Sequence, residues 1–233
     1  MAKDKTGRLH VTVRTGGKRK LSSKLWLERQ LNDPYVAQAK RDGFRSRAAY
    51  KLIEIDDKYR LLKPGMTVVD LGAAPGGWSQ IAARRVGAAE GKGQGKGKVV
   101  AIDLLEMPEI PGVTFAQLDF HADDAPERLR AMMGGRADVV MSDMAANTTG
   151  HRKTDQLRIV GLIETAAAFA ADVLNPGGTF LAKAFQSGAD AELVAQLKRD
   201  FASVRHVKPA SSRQDSSERY VLAMGFRRRN DQS

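Results

Sequence analysis

The sequence predicts an α/β fold built on a mostly parallel, seven-stranded sheet with helices on both faces. Three observations support this prediction. Apolar strand-like segments alternate with helical ones from residue 67 to residue 226. Continuous apolar runs such as Val139-Val140-Met141 are typical of strands buried on both faces. The first strand stops in a glycine-rich loop that leads directly into a helix, as in doubly wound sheets.

The N-terminal part is predicted to be polar at first and then helical. Residues 1–22 are rich in glycine and lysine, a composition typical of a segment that is disordered in isolation. Capping residues and prolines then predict three helices. These run from Ser23 through Leu31, from Asp33-Pro34 through Lys40, and from Ser46 to Pro64-Gly65.

Strands and helices alternate in the rest of the chain. The predicted strands are 67–71, 98–102, 113–118, 137–142, 178–185, 203–208 and 219–226. The predicted helices are 76–87, 125–133, 155–174 and 189–201. Since no helix separates the last two strands, we expect the last strand to be antiparallel.

Positive charge is concentrated at the two ends of the chain. The net charge is +11, and residues 1–60 hold 16 lysines and arginines against 7 acids, whereas residues 61–226 hold 19 of each. We therefore divide the chain into a basic arm (1–45), an α/β domain (46–226) and a basic tail (227–233). Such a field favours a polyanionic partner. The alternative is a solubilising tail without a specific partner.

Cysteine and histidine usage argues against metal sites and disulfides. The chain has no cysteine, and its four histidines do not pair at ligand spacing. We therefore expect no metal and a cytoplasmic location. The longest apolar stretch, 159–174, is interrupted by Glu164 and Asp172, so we expect a buried helix and no membrane span.

The loop after the first strand predicts a nucleoside site. Residues 67–79 read TVVDLGAAPGGWS, in which the strand ends at Asp70 and the glycines allow a ligand to approach the backbone. The glycine spacing differs from the dinucleotide fingerprint G-x-G-x-x-G, and Asp70 would repel a pyrophosphate. A cationic or phosphate-free nucleoside suits the loop better, which makes S-adenosylmethionine the candidate. A dehydrogenase that binds NAD is disfavoured by the same spacing and by Pro75.

Polar side chains stand at the ends of five consecutive strands. They are Asp70, Asp103, Asp119, Asp143 and Lys183. Ligands of open α/β sheets bind at this edge. Asp103 is expected to accept from the ribose hydroxyls and Asp119 from an adenine amino group, although each aspartate also fits a turn or a helix cap. Asp103 follows Gly72 by 31 residues instead of the usual ~20, which indicates that residues 88–97 are an insertion.

Lys183 interrupts an otherwise apolar strand. Burial disfavours its charged form, whereas Asp143 favours it. Lys51 on the preceding helix can lower the pKa of Lys183 by like-charge repulsion, and Glu218 can hold Lys51, so the sequence leaves the protonation state of Lys183 open. A lysine tuned in this way can take a proton from a hydroxyl or steady the oxyanion that forms. A purely structural Asp143–Lys183 ion pair explains the same residues about as well.

In four segments the chain resembles the FtsJ/RrmJ family. This is the bacterial ribosomal RNA large subunit methyltransferase E group, whose members are S-adenosylmethionine-dependent 2′-O-ribose methyltransferases. The segments are 46–52, 63–80, 140–147 and 211–220. The resemblance implies a Rossmann-like class I methyltransferase fold and a uridine 2′-hydroxyl of 23S rRNA as substrate. It also implies site residues. The catalytic set falls on Lys51, Asp143, Lys183 (the proton acceptor) and Glu218, and the cofactor contacts fall on Gly76, Trp78, Asp103, Asp119 and Asp143.

The chain departs from the family pattern in three places. Ala146 replaces the usual proline, and both the 88–97 insertion and the long basic N-terminus are atypical. Three other functions stay open: the same chemistry on tRNA or an mRNA cap, a non-catalytic ribosome-assembly factor, and the dehydrogenase already disfavoured. A pure binder has no use for the four-residue set, which argues against the assembly factor.

Overall fold

The computed structural model describes residues 11–13, 21–89, 96–145, 151–185, 191–213 and 216–227. Ala146, most of the 88–97 insertion and the tail residues Arg228 and Arg229 lie outside these ranges. The chain divides into two compact units, Met1–Arg47 and Ala48–Ser233.

The first unit contains the helices α1 (Leu21–Leu31) and α2 (Pro34–Arg41). Asp33 caps α2 by accepting the Tyr35 N–H at 3.0 Å, as its position before a proline predicts. The same carboxylate pairs with Arg47 at 2.7 Å. Just before Asp33, Asn32 exchanges two hydrogen bonds with the backbone of Val11, at 2.8 and 2.9 Å.

The second unit alternates helices and strands. Its elements are α3 (Ala48–Tyr59), β1 (Thr67–Leu71), α4 (Gly77–Arg85), β2 (Lys98–Asp103), β3 (Val113–Gln117), α5 (Ala125–Met133), β4 (Ala137–Ser142), α6 (Arg152–Val173), β5 (Leu174–Phe185), α7 (Ala191–Asp200), β6 (Phe201–Val207) and β7 (Glu218–Phe226). The seven strands form one sheet in the order β3-β2-β1-β4-β5-β7-β6. Strands β1 to β5 are parallel, and β7 is antiparallel to both of its neighbours. The predicted fold class is therefore confirmed.

Helices cover both faces of the sheet. Val69 and Leu71 belong to a core cluster that includes Leu129 of α5 and Phe169 of α6. Because side chains alternate along a strand, Asp70 points to the opposite face, where it contacts α4. The strand order reverses between β1 and β4, so their carboxyl ends open a crevice at the topological switch point.

Both predicted bounds of helix α3 are wrong. Helix α3 begins at Ala48 instead of Ser46 and ends at Tyr59, well before Pro64-Gly65. It ends there because Arg60 adopts a positive φ of 55° and the Asp56 carboxylate takes the Leu62 N–H at 2.8 Å.

Strand β5 begins at Leu174 rather than at residue 178, so it includes the segment that reads as a turn. Leu174 pairs with Ala137, and the register then shifts before Val139 pairs with Thr179. Asn175 donates to the Asp138 carboxylate at 2.8 Å, which holds the irregular segment against β4.

Candidate active site

The loop after β1 passes close to the loop after β4. Gly72 has a φ of +77°, and a Cβ built on it would lie 2.6 Å from Met144 Cγ and 3.0 Å from Met144 Cα. The N–H groups of Gly72 and Ala73 both donate to the Ile102 carbonyl at 3.0 Å. Gly76, at the cap of α4, has a φ of +106°. Glycine is therefore required at 72 and 76 by backbone conformation and, at 72, by close approach.

Asp70 lies beneath this loop and is fully buried. One carboxylate oxygen accepts the Ser79 hydroxyl at 2.6 Å, and the other has no partner among the described residues. Burial raises the pKa of Asp70 to about 7; the Ser79 hydrogen bond opposes this shift, and Asp143 and Asp103 add to it. Asp70 does not line the neighbouring cavity, so its visible role is to hold α4 rather than to face a ligand.

A cavity of about 430 Å³ opens at the carboxyl ends of β1 to β4. It is lined by three carboxylates, those of Asp103, Asp119 and Asp143, and by apolar side chains such as Leu118 and Phe120. In the part of this lining that the structure describes, no lysine or arginine occurs. Such a lining suits a cationic or neutral ligand better than a phosphate.

The Asp103 carboxylate is oriented by two backbone donors. Its oxygens accept the N–H groups of Ala74 at 2.9 Å and Leu105 at 2.8 Å. Each oxygen retains a second lone pair for a ligand hydroxyl. Asp119 accepts the His121 N–H at 2.9 Å with one oxygen, which is the turn predicted as its alternative role. That bond leaves the other oxygen available.

The other two predicted cofactor contacts, Gly76 and Trp78, do not line this cavity. Trp78 is 2% exposed, its indole N–H donates to the Ala48 carbonyl at 2.9 Å, and its ring lies 5.5 Å from that of Tyr220. The Trp78 side chain is therefore used in packing α4 against α3 and β7.

Next to the cavity, the structure brings together the four residues of the predicted catalytic set. Lys183 Nζ lies 2.9 Å from Asp143 Oδ1 and donates to the Asp143 carbonyl, also at 2.9 Å. Lys51 Nζ lies 2.6 Å from Glu218 Oε1. Strand register explains the placement, since Lys183 stands opposite Tyr220 and Glu218 precedes Tyr220 by two residues on the same face.

Tyr220 connects the two ion pairs and was missed by the sequence reasoning. Its hydroxyl donates to Asp143 Oδ1 at 3.0 Å and lies 3.4 Å from Glu218 Oε1. Burial raises the pKa of Tyr220 well above its usual value, and the two carboxylates add to the effect, so the phenol is a neutral donor. One feature of the sequence could have indicated this role. Tyr220 follows Glu218 by two residues on a predicted strand, so both side chains lie on the same face of the sheet.

The structure decides the direction of the Lys183 pKa shift, which the sequence leaves open. Burial acts to lower the pKa of Lys183, but the charges of Asp143 and Glu218 and the hydrogen bond to Asp143 outweigh it and raise the pKa above its usual value. Lys51 does not counteract them, because Glu218 is paired with it at 2.6 Å. Lys183 is thus an ammonium ion in this structure at neutral pH.

The described residues contain neither a metal-binding cluster nor a membrane-spanning helix. No group of three or more histidine, aspartate or glutamate side chains there could hold a metal ion. Within the same ranges, no helix is long and apolar enough to cross a membrane.

The sheet is doubly wound, an acid-lined cavity lies at its switch point, and a cluster of lysines and carboxylates lies beside the cavity. These features define the class as an α/β methyltransferase. The family model described as FtsJ-like methyltransferase matches residues 44–226, and the chain belongs to this family. The resemblance stated from the sequence is confirmed.

Curated relatives match nearly the whole chain. It is 86% identical over 227 residues to "Ribosomal RNA large subunit methyltransferase E" of Bradyrhizobium sp. (strain ORS 278), which covers 97% of this chain and 96% of the relative. It is 79% identical over 227 residues to the protein of that name from Rhodopseudomonas palustris (strain TIE-1), covering 97% and 94%. A crystal structure described as a ribosomal RNA methyltransferase from Plasmodium falciparum is also similar. The sequence identity is 31% and the TM-score 0.69, and the match covers 78% of this chain and 98% of the other.

Proposed function

We propose that this protein transfers a methyl group from S-adenosylmethionine to the ribose 2′-hydroxyl of a uridine in 23S rRNA of the large ribosomal subunit. The observation that carries the proposal is that Asp143 takes part in two features. Asp143 lines the acidic cavity, and its carboxylate pairs with Lys183 at 2.9 Å. Asp143 therefore links a nucleoside-sized cavity to the Lys183 amino group, which can accept a hydroxyl proton or stabilise the oxyanion.

The cavity residues fit S-adenosylmethionine. Its volume of about 430 Å³ lies in the range of small-molecule sites. Asp103 can accept from the ribose hydroxyls, Asp119 from the adenine amino group, and Asp143 can attract a positive charge. Because the Trp78 side chain is buried, contacts of Trp78 and Gly76 would come from the backbone of the loop and the first turn of α4. When bound, S-adenosylmethionine supplies an electrophilic methyl group.

Lys183 manages the proton of the attacking hydroxyl. As an ammonium ion it stabilises the alkoxide that develops when the ribose hydroxyl loses its proton. Once its own proton has passed to solvent water, the neutral amine can accept the proton of the hydroxyl and becomes an ammonium ion again. Positive charge near Asp143 favours this loss, because two cations then share one carboxylate. The 2.9 Å pair fixes the ammonium group beside Asp143, which lines the cavity.

Lys51, Glu218 and Tyr220 hold this arrangement in place. Glu218 neutralises Lys51 at 2.6 Å, and the Tyr220 hydroxyl donates to Asp143 at 3.0 Å. Fixed donors and acceptors of this kind reduce the loss of entropy when the ribose is positioned for attack. A structural role alone would not require the second lysine beside the first pair.

An RNA partner fits the charge of the chain and the names of its relatives. Residues 1–60 carry 16 basic residues against 7 acids. We infer that the basic arm (1–45) and the tail Arg227, Arg228 and Arg229 contact rRNA phosphates, since such contacts supply affinity without base reading. We also propose a cytoplasmic location, where ribosomal subunits are assembled, with the α/β domain (46–226) carrying the chemistry.

The test is methyl transfer to a panel of RNAs. The protein is incubated with labelled S-adenosylmethionine and, separately, tRNA, free 23S rRNA or 50S particles. Label is expected in 23S rRNA or 50S particles, and Lys183→Ala should abolish it while S-adenosylmethionine still binds in calorimetry. The matched control is Lys198→Ala, an exposed lysine on α7, which should transfer normally. Label in tRNA alone, or normal turnover by Lys183→Ala, would contradict the proposal.

A further inference from the structure

A tight turn just before β7 is held by α3. The Ser212 N–H donates to the Pro209 carbonyl at 3.0 Å, which closes a turn over residues 209–212. The Ser211 N–H donates to the Glu54 carboxylate, at 3.0 Å to one oxygen and 3.3 Å to the other. Ser211 is completely buried. Glu54 is therefore an anchor for a segment 157 positions away along the chain.

The same face of α3 also reaches the start of β7. Glu54 follows Lys51 by three residues, so both side chains lie on one side of the helix. Lys51 pairs with Glu218 at 2.6 Å, and the Ser212 hydroxyl contacts the same oxygen of Glu218 at 3.4 Å. Two neighbouring side chains of α3 thus hold the turn and the carboxylate that follows it.

We propose that Glu54 is a positioning residue: by anchoring the 209–212 turn, it places Ser212 and the start of β7 so that Glu218 meets Lys51 and Tyr220. This inference rests on the proposed methyl transfer, in which the Lys51–Glu218 pair supports Asp143 and Lys183. The hydrogen-bond donor to Glu54 is the Ser211 N–H, which is a neutral group. Glu54 therefore needs an acceptor oxygen at the end of a side chain of this length, and not a negative charge. An amide of the same length, as in Glu54→Gln, retains one acceptor oxygen.

Steady-state kinetics with the full chain separate positioning from folding. Glu54→Ala is expected to lower kcat about tenfold with the Kd for S-adenosylmethionine nearly unchanged, because no residue of the turn lines the cavity. Glu54→Gln is expected to stay within about threefold of wild type. The control is Glu127→Ala, an exposed glutamate on α5, which should leave all constants unchanged. An unchanged kcat for Glu54→Ala, or a Gln variant as impaired as the Ala variant, would overturn the inference.

Two further measurements test the inference if Glu54→Ala does not fold or if the protein shows no turnover. If Glu54→Ala does not fold, Ser212→Ala removes only the hydroxyl that touches Glu218 and should lower kcat in the same direction; a normal kcat counts against the inference. The second measurement is independent of turnover. In ¹⁵N spectra of lysine amino groups, the Lys51 signal (assigned with Lys51→Arg) should move in Glu54→Ala and not in Glu127→Ala.

The spectra keep the two proposals apart. If wild type transfers no methyl group but the Lys51 signal responds to Glu54→Ala, the proposed function fails and the positioning role stands. If transfer occurs and the Lys51 signal does not move, the positioning role fails and the function stands.

Discussion

The buried carboxyl group of Asp70 makes stability depend on pH. Asp70 is 0% exposed, and burial raises its pKa from 3.8 to about 7. Below pH 4 it is protonated in both the folded and the unfolded chain. Between pH 4 and 7 the unfolded chain releases the proton while the folded chain keeps it, so the free energy of unfolding falls as pH rises. Above pH 7 the loss levels off.

The size of this loss follows from the shift. A change from 3.8 to about 7 is roughly three pKa units, which corresponds to about 4 kcal/mol above pH 7. At pH 5 only about 1.5 kcal/mol of it has been lost. Asp70→Asn cannot ionise but retains an acceptor for Ser79, so its stability lacks this dependence. Its amide N–H₂ occupies an unpartnered position, which costs roughly 1–3 kcal/mol at every pH.

Urea unfolding at pH 5 and pH 8.5 tests this account of Asp70. Relative to wild type, Asp70→Asn should gain about 2–3 kcal/mol between pH 5 and pH 8.5. Asp123→Asn, at an exposed position on the same domain, should show no such change. If the stability difference between Asp70→Asn and wild type is the same at both pH values, Asp70 does not titrate as its burial requires.

Three other substitutions have defined outcomes. Gly72→Ala places a Cβ 2.6 Å from Met144 Cγ at a positive φ, so it should cost at least about 1–2 kcal/mol of stability in urea unfolding and weaken S-adenosylmethionine binding in calorimetry; unchanged binding would show that the loop tolerates the shift. Asp103→Asn retains a single acceptor oxygen where the carboxylate now serves two N–H groups, so the Kd for S-adenosylmethionine should rise about tenfold or more; an unaltered Kd would remove Asp103 from the site. Tyr220→Phe keeps the ring on Trp78 but removes the donor to Asp143, so kcat should fall with the cofactor Kd unaffected, and a normal kcat would make Tyr220 a packing residue only.

Most of the fold could be predicted because local signals agree with the tertiary structure. Val68 and Val69 are β-branched residues before a glycine loop, and they form β1 between β2 and β4. The end of α3 could not be predicted, since it depends on the Asp56 side chain capturing the Leu62 N–H. The start of β5 depends in the same way on a side-chain bond, from Asn175 to Asp138. Propensities do not contain such bonds.

Both ion pairs of the candidate site were predicted from the sequence, whereas the tyrosine that connects them was not. Strand ends indicated Asp143 and Lys183, and the structure pairs them at 2.9 Å. The direction of the Lys183 pKa shift could not be predicted, because the sequence does not show that Glu218 influences both lysines. Tyr220 was missed because a tyrosine in a buried strand is indistinguishable, in the sequence, from an aromatic residue that packs the core.

The most direct test of the proposed function is the position of the transferred methyl group. 50S particles are incubated with the protein and S-adenosylmethionine carrying a trideuterated methyl group, and the 23S rRNA is digested to nucleosides for mass spectrometry. The proposed function predicts one trideuterated methyl group on the ribose of a uridine. A label on a base, on another nucleoside, or in no RNA would contradict it.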